Sequence, residues 1–215
     1  MDTDELMRRL FELYPDEYTN GPKDPFFVLI STVMSQRTRD EVTYPAARRL
    51  FEKYSTPEEL LGADLDEIEA LIKDVGFYRV KARRIQEISS ILLSEYGGKV
   101  PDDMETLLKL PGVGRKTANC VLAHAFSKDA LAVDTHVHRI SNRLGLVKTK
   151  SPEETERELK KILPRRYWRH INLLLVRFGQ NICRPISPKC EICSLNDMCP
   201  KLINSRVQKS QKSQL

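Results

Sequence analysis

No apolar run in these 215 residues approaches the roughly 20 needed to cross a bilayer. The opening stretch, MDTDELMRRLFELYP, has the spacing of an acidic amphipathic helix, with no apolar signal segment behind it. Together these absences point to a cytoplasmic protein with no membrane partner, acting beside the chromosome if the cell is prokaryotic. Strand signals are equally scarce. ALAV, residues 130–133, is the best of them and is too short to found a sheet. One-sided charge is missing from the total but not from its distribution. The net charge is only +5, yet residues 1–74 hold 9 Lys/Arg against 17 Asp/Glu, and residues 75–215 hold 26 against 13. A basic two-thirds fits a polyanionic partner, because each phosphate contact releases counterions, and it also fits a merely solvated basic surface.

What is present is helix. With 40% hydrophobic and 30% charged residues, the chain has the composition of an ordinary globular protein with a core to bury. Thr56-Pro57 followed by Glu58 and Glu59 marks one helix start. Ser151-Pro152 with Glu154 marks another, as a capping box with proline at its first position. Leu65, Ile68, Leu71 and Ile72 recur at helical spacing, as do Ile85, Ile88, Ile91 and Leu92. LIKDVGFYRVKARRI (71–85) echoes LLKLPGVGRKTANCV (107–121) at an offset of 36, and both read as helix, glycine turn, helix. After Cys199 the chain turns polar and loses its periodicity, so a disordered tail is expected from about Ser205.

Three stretches carry chemistry. In LPGVGRKTA, Pro111 fixes one backbone angle, while Gly112 and Gly114 permit positive ones. Such a turn can aim successive N–H groups at one phosphate, helped by the positive end of the following helix. Lys116 falls in the first turn of that helix. There the dipole and partial burial should lower its amine pKa, so it serves either as a phosphate contact or as a nucleophile forming a Schiff base. Asp134, in LAVDTHVHRISNRLGL, stands between an apolar run and another helical pattern. It is either a plain N-cap or an ionised carboxylate able to support an oxocarbenium-like centre. His136 and His138 are assigned no chemistry.

Cys183, Cys190, Cys193 and Cys199 form a C-x6-C-x2-C-x5-C array. In a cytoplasmic chain this points to metal rather than disulfides. The spacing admits zinc, but one compact loop with a single C-x2-C pair suits a [4Fe–4S] cluster better. Arg184 and Lys189 lie on the first loop of the array, placed to meet phosphate. Cys120 reads as a small core residue.

The order of these pieces, from the first helix to Cys199, resembles the endonuclease III family within the helix-hairpin-helix superfamily of base-excision DNA glycosylases. The resemblance implies an all-α fold of two helical domains with a cleft between them. One is a six-helix barrel over about 21–130 that includes the hairpin. The other is a discontinuous domain of 1–20 and 131–204 that holds one [4Fe–4S] cluster on the four cysteines. It makes Lys116 the nucleophile and Asp134 the catalytic carboxylate, facing each other across the cleft. The implied partner of a monomeric enzyme is duplex DNA carrying damaged pyrimidines or abasic sites; the resemblance does not identify a downstream AP endonuclease or polymerase. Leu110, Gly112, Gly114 and Arg115 of the hairpin would bind DNA, as would Arg184 and Lys189. Phe77 falls where the family places a wedge into the stack, although the same residue could simply be core. Ser35 and Asp40 match the lesion-pocket segment. Arg37 stands where the family carries a glutamine opposite the extruded base, which puts opposite-base preference in question. Adenine-mismatch glycosylases of the superfamily lack the lysine and carry a glutamate where this chain has Thr32. Thymine/uracil-mismatch glycosylases are closer, but Lys116 favours the lyase branch. A non-catalytic DNA-binding module would not need Lys116 and Asp134 together.

Overall fold

Seven of the eleven described helices begin where a side chain caps the first N–H groups. In the computed structural model, which describes residues 1–15 and 24–202, Asp2 caps α1 (Thr3–Leu13) and Asp24 caps α2 (Pro25–Ser35) with Pro25 at its first position. α3 (Asp40–Lys53) follows, and α4 (Pro57–Gly62) starts at a full capping box of Thr56 and Glu59. Asp64 caps α5 (Leu65–Leu71), Asp103 caps α7 (Met104–Leu107), and Ser151 caps α10 (Pro152–Ile162). Each such cap contributes about 1 kcal/mol. The box expected at Ser151 is only half made: Ser151 accepts from the Glu154 N–H, but the Glu154 carboxylate turns to the Lys150 N–H at 2.8 Å. α6 (Tyr78–Tyr96) starts on Phe77 without a side-chain cap and ends on Gly97 and Gly98 in left-handed backbone. α8 (Arg115–His124), α9 (Thr135–Arg143) and α11 (Trp168–Asn181) complete the set.

The described residues contain eleven α-helices, short 3-10 turns and no strand, so the fold is all-α. Residues 130–133 are buried but form no strand. The expected disordered tail from Ser205 lies outside the described residues.

The chain divides into two units, Met1–Thr19 with Asp129–Leu215, and Asn20–Lys128. In the contiguous unit α2 is apolar nearly all round and buries Phe26, Phe27, Leu29, Ile30, Val33 and Met34, so it takes the central place. α6 lays Ala82, Ile85, Ile88 and Leu92 into the same unit, against α2, α4 and α5. In the discontinuous unit α1 brings Leu6, Met7 and Leu10 to a core shared with Val137, Ile140, Leu159, Ile171, Leu175 and Phe178. Cys183 and Leu195 belong to that core, and Cys193 and Cys199 pack against it.

The internal echo is visible as two helix–turn–helix units, α5 to α6 and α7 to α8. Their turns differ in detail. Gly112 carries the left-handed residue of the second turn, with φ 73°, whereas in the first it is Phe77, one residue after the aligned Gly76, with φ 59°.

Candidate active site

The hairpin turn closes through the Val113 N–H, which donates to the Leu110 carbonyl at 3.1 Å. Only one of its two glycines needs to be glycine for backbone reasons. Gly112 has φ 73°, while Gly114 sits extended at φ −95° as the N-cap of α8. Gly114 has no side chain to cap with, so α8 begins without a side-chain cap, next to the exposed glycines Gly112 and Gly114. Arg115 is exposed beside them. Leu110 is only 2% exposed, so its side chain belongs to the core beneath the hairpin and leaves only its backbone for DNA. Lys116 is half-buried as the second residue of α8, between exposed Arg115 and buried Thr117.

Gln36, which the sequence reading passed over, supports this hairpin. Its side-chain amide donates to the Gly112 carbonyl at 2.7 Å and to the Thr117 hydroxyl at 3.3 Å. Gln36 follows α2 in a turn that also carries Ser35, Arg37 and Thr38. Ser35 is half-buried and donates its hydroxyl to the Thr32 carbonyl at 2.9 Å, and Asp40 is exposed at the start of α3. Arg37 is exposed with φ 55°. Its guanidinium lies over the ring of Phe77, 5.7 Å from the centroid. Phe77 is 63% exposed, which removes the core reading of that residue. An apolar ring held out in water on strained backbone is a feature to be explained by something it meets.

In the other unit Asp134 is the N-cap of α9, accepting from the Val137 N–H at 2.8 Å. The opposite end of α9 reaches the cysteine loop. Arg143, 6% exposed, donates to the Cys183 sulfur at 3.3 Å and to the carbonyls of Arg184 (2.8 Å) and Pro185 (3.2 Å). Arg139 donates to the Cys183 carbonyl at 3.0 Å. From α1, Arg9 grips the far side of the loop through the Ser194 carbonyl (2.7 Å) and the Asp197 carboxylate (2.6 Å). None of these three arginines was foreseen, since an arginine inside a helix gives no local sign of the loop it holds.

All four cysteines line one pocket of about 370 Å³, counting its open mouth, floored by Phe178. Among the described residues no three His, Cys, Asp or Glu side chains come close enough to hold a single ion. Four thiols around a larger pocket, with no other metal-binding side chain in its lining, suit a polyatomic iron–sulfur group better than one zinc. Burial pushes the Cys193 and Cys199 thiols up, and the neighbouring cysteines add to the shift. Deprotonating these two therefore calls for a cationic partner. The Arg143 guanidinium and the Lys201 N–H, which donates to the Cys199 sulfur at 3.3 Å, supply the N–H···S bonds such a group needs. The residues fit. Arg184 and Lys189 are exposed on the same loop.

Residues 30–165 match the family described as HhH-GPD superfamily base excision DNA repair protein. The chain belongs to that superfamily. Residues 183–199 match the iron–sulfur binding domain of endonuclease III. Endonuclease III of Thermotoga maritima is 58% identical over 196 residues, covering 91% of each chain. A trapped endonuclease III–DNA covalent intermediate, in an estranged-adenine complex, superimposes with a TM-score of 0.84 at 38% identity, covering 98% of this chain and 100% of that one. A thermostable thymine-DNA glycosylase follows with a TM-score of 0.80 at 27% identity, covering 96% and 97%. This HhH-GPD protein is therefore a DNA-binding base-excision repair glycosylase/AP lyase of the endonuclease III type, with a [4Fe–4S] cluster as its cofactor. No described helix is long and apolar enough to cross a membrane.

Proposed function

We infer that the protein is a monomeric, bifunctional enzyme that excises oxidised or otherwise damaged pyrimidines from duplex DNA and then nicks the strand at the resulting abasic site. Support for the nucleophile comes from Lys116, a half-buried lysine in the first turn of α8 beside an uncapped, exposed glycine turn. The likeness to a trapped covalent endonuclease III–DNA intermediate lends the same reading weight.

The chemistry is assigned as follows. The damaged nucleotide leaves the stack, at least cost where the lesion already pairs or stacks poorly. Exposed Phe77 and Arg37 fill the gap it leaves, and the hairpin backbone, Arg115, Arg184 and Lys189 hold phosphates. Ser35 and Asp40 face the lesion. The Lys116 lone pair attacks C1′, the C1′–N bond breaks, and its electron pair leaves with the base, which takes up a proton. Asp134, at the start of α9, stabilises the positive charge growing on the sugar. The bound amine gives up one proton, the C1′–O4′ bond breaks with its electron pair going to O4′, which takes up a proton, and the sugar opens to a protonated Schiff base. Removal of a C2′ proton then expels the 3′ oxygen, and water releases Lys116. Cys183, Cys190, Cys193 and Cys199 would hold the [4Fe–4S] cluster, which ties residues 183–199 into one loop and supplies no electron to this sequence of steps.

Borohydride reduction on a duplex with one oxidised pyrimidine tests the assignment. The wild type should yield a covalent protein–DNA adduct, and Lys116→Gln should yield none and no nick, while binding DNA within about threefold of wild type. Base release without any adduct would instead make this a monofunctional enzyme in which water attacks with help from Asp134.

A further inference from the structure

Lys81 lies on the buried stripe of α6 with Ile85, Ile88 and Leu92 and is only 3% exposed. Its ammonium donates to the carbonyls of Met34 (2.7 Å) and Gln36 and to the Thr38 hydroxyl (3.1 Å). Three donors thus meet three acceptors, all from the end of α2 and the turn after it, where carbonyls have run out of helical N–H partners. The turn is then joined to a second one. The Thr38 hydroxyl also accepts from the Gly76 N–H at 3.1 Å. A Cβ on Gly76 would stand 3.2 Å from the Arg37 carbonyl and from that hydroxyl, so the two turns are in close contact. The exposed residue of each turn, Arg37 at φ 55° and Phe77 at φ 59°, adopts left-handed backbone without being glycine. Such strain persists only where the surroundings over-determine it. Lys81 and Thr38 are those surroundings.

We propose that Lys81 is a positioning residue for lesion recognition: by fastening the 34–38 turn it holds Arg37 and Phe77 as one rigid probe of the opened duplex, and so sets discrimination between the bases opposite the lesion. The proposal rests on the reading that both side chains enter DNA. A buried lysine serves here better than a methionine of the same length, which would leave three acceptors facing apolar side chains. Lowering of its amine to about 8 by burial, with Arg84 adding, still leaves most of the population charged at pH 7.

The test separates probing from chemistry. A duplex carrying a reduced, uncleavable abasic analogue opposite 2-aminopurine reports insertion as a rise in fluorescence on binding, whether or not Lys116 attacks anything. Wild type and Lys116→Gln should both give the rise. Lys81→Met and Arg37→Ala should lose most of it at saturating protein. On cleavable substrate the kcat/KM ratio between opposing adenine and guanine should fall in Lys81→Met to within about twofold of the Arg37→Ala ratio. Borohydride trapping on a single-stranded abasic site, where no opposite base exists, should change less than about threefold. Thr38→Val should reproduce the Lys81→Met pattern and Thr38→Ser should restore wild-type values, which decides the matter if Lys81→Met does not melt cooperatively. A full fluorescence rise and an unchanged base ratio in Lys81→Met, or in Thr38→Val, would overturn the proposal. So would equal losses on every substrate, single strand included, or a wild type with no base preference at all. Fluorescence that behaves as expected in a protein that forms no adduct would sink the nucleophile assignment and leave Lys81 standing.

Discussion

At the scale of the residue, the hairpin and the probe place opposite demands on the backbone. Gly112 needs its left-handed angle, and a Cβ there would run into the Arg84 side chain. That chain end is flexible and can move aside, so the lasting cost of Gly112→Ala is the backbone strain, about 1–2 kcal/mol. Urea melts should show a lower midpoint at an unchanged slope, and the shift of the turn should weaken DNA binding as well. Lys81 gives up stability in another way. Its amine is lowered from 10.5 to about 8 by burial first and Arg84 second. Between those two values the unfolded chain holds a proton that the folded protein has released. Folding stability therefore rises with pH across that window and is flat below it. Urea midpoints of wild type and Lys81→Met at pH 7, 8.5 and 10 should diverge in favour of the wild type, by up to about 3 kcal/mol at the top. A constant difference would mean that the ammonium is no worse placed than in water. Lys116 and Lys81 also show where a sequence is readable. Lys116 sits in a motif whose glycines announce a turn, so its place could be read. Lys81 gave one faint sign, a lysine on an apolar stripe, because its partners are two carbonyls and a hydroxyl 43 or more residues away in sequence.

At the scale of the element, α9 joins two tasks. Asp134 caps its first turn, and Arg143 at its last turn grips the cysteine loop through one sulfur and two carbonyls. Arg143→Met keeps much of the packing but removes all three bonds. The loop should then hold its iron less firmly: absorbance near about 400 nm should bleach severalfold faster in a chelator than in wild type. Equal bleaching would show that the four cysteines retain the cluster without that help. Helix starts were legible because caps are local: Thr56, Ser151 and Asp134 all stand where their side chains predict. Left-handed backbone at Phe77 and Arg37 was not legible, since those residue types disfavour it and only contacts from distant residues impose it.

At the scale of the whole molecule, chain continuity and cofactor divide along the same line. Asn20–Lys128 is one contiguous stretch whose core comes from its own helices, with no cysteine of the array in it. The other unit closes only when α1 meets helices more than a hundred residues later, and three of the four array cysteines are in or against its core. Removing the cluster leaves half-buried Cys193 and Cys199 thiols that resist ionisation, and the loop keeps only protein contacts, among them those of Arg9, Arg139 and Arg143. Iron extraction should thus loosen one unit and spare the other, a departure from two-state behaviour. In hydrogen exchange, amides of α1, α9 and α11 should lose protection by about tenfold or more after chelation, while α2, α6 and the body of α8 keep theirs. Uniform loss across both units would mean that the two fold as a single cooperative body. Uniform retention would mean that the apolar core of α1, α9 and α11 stands without its metal.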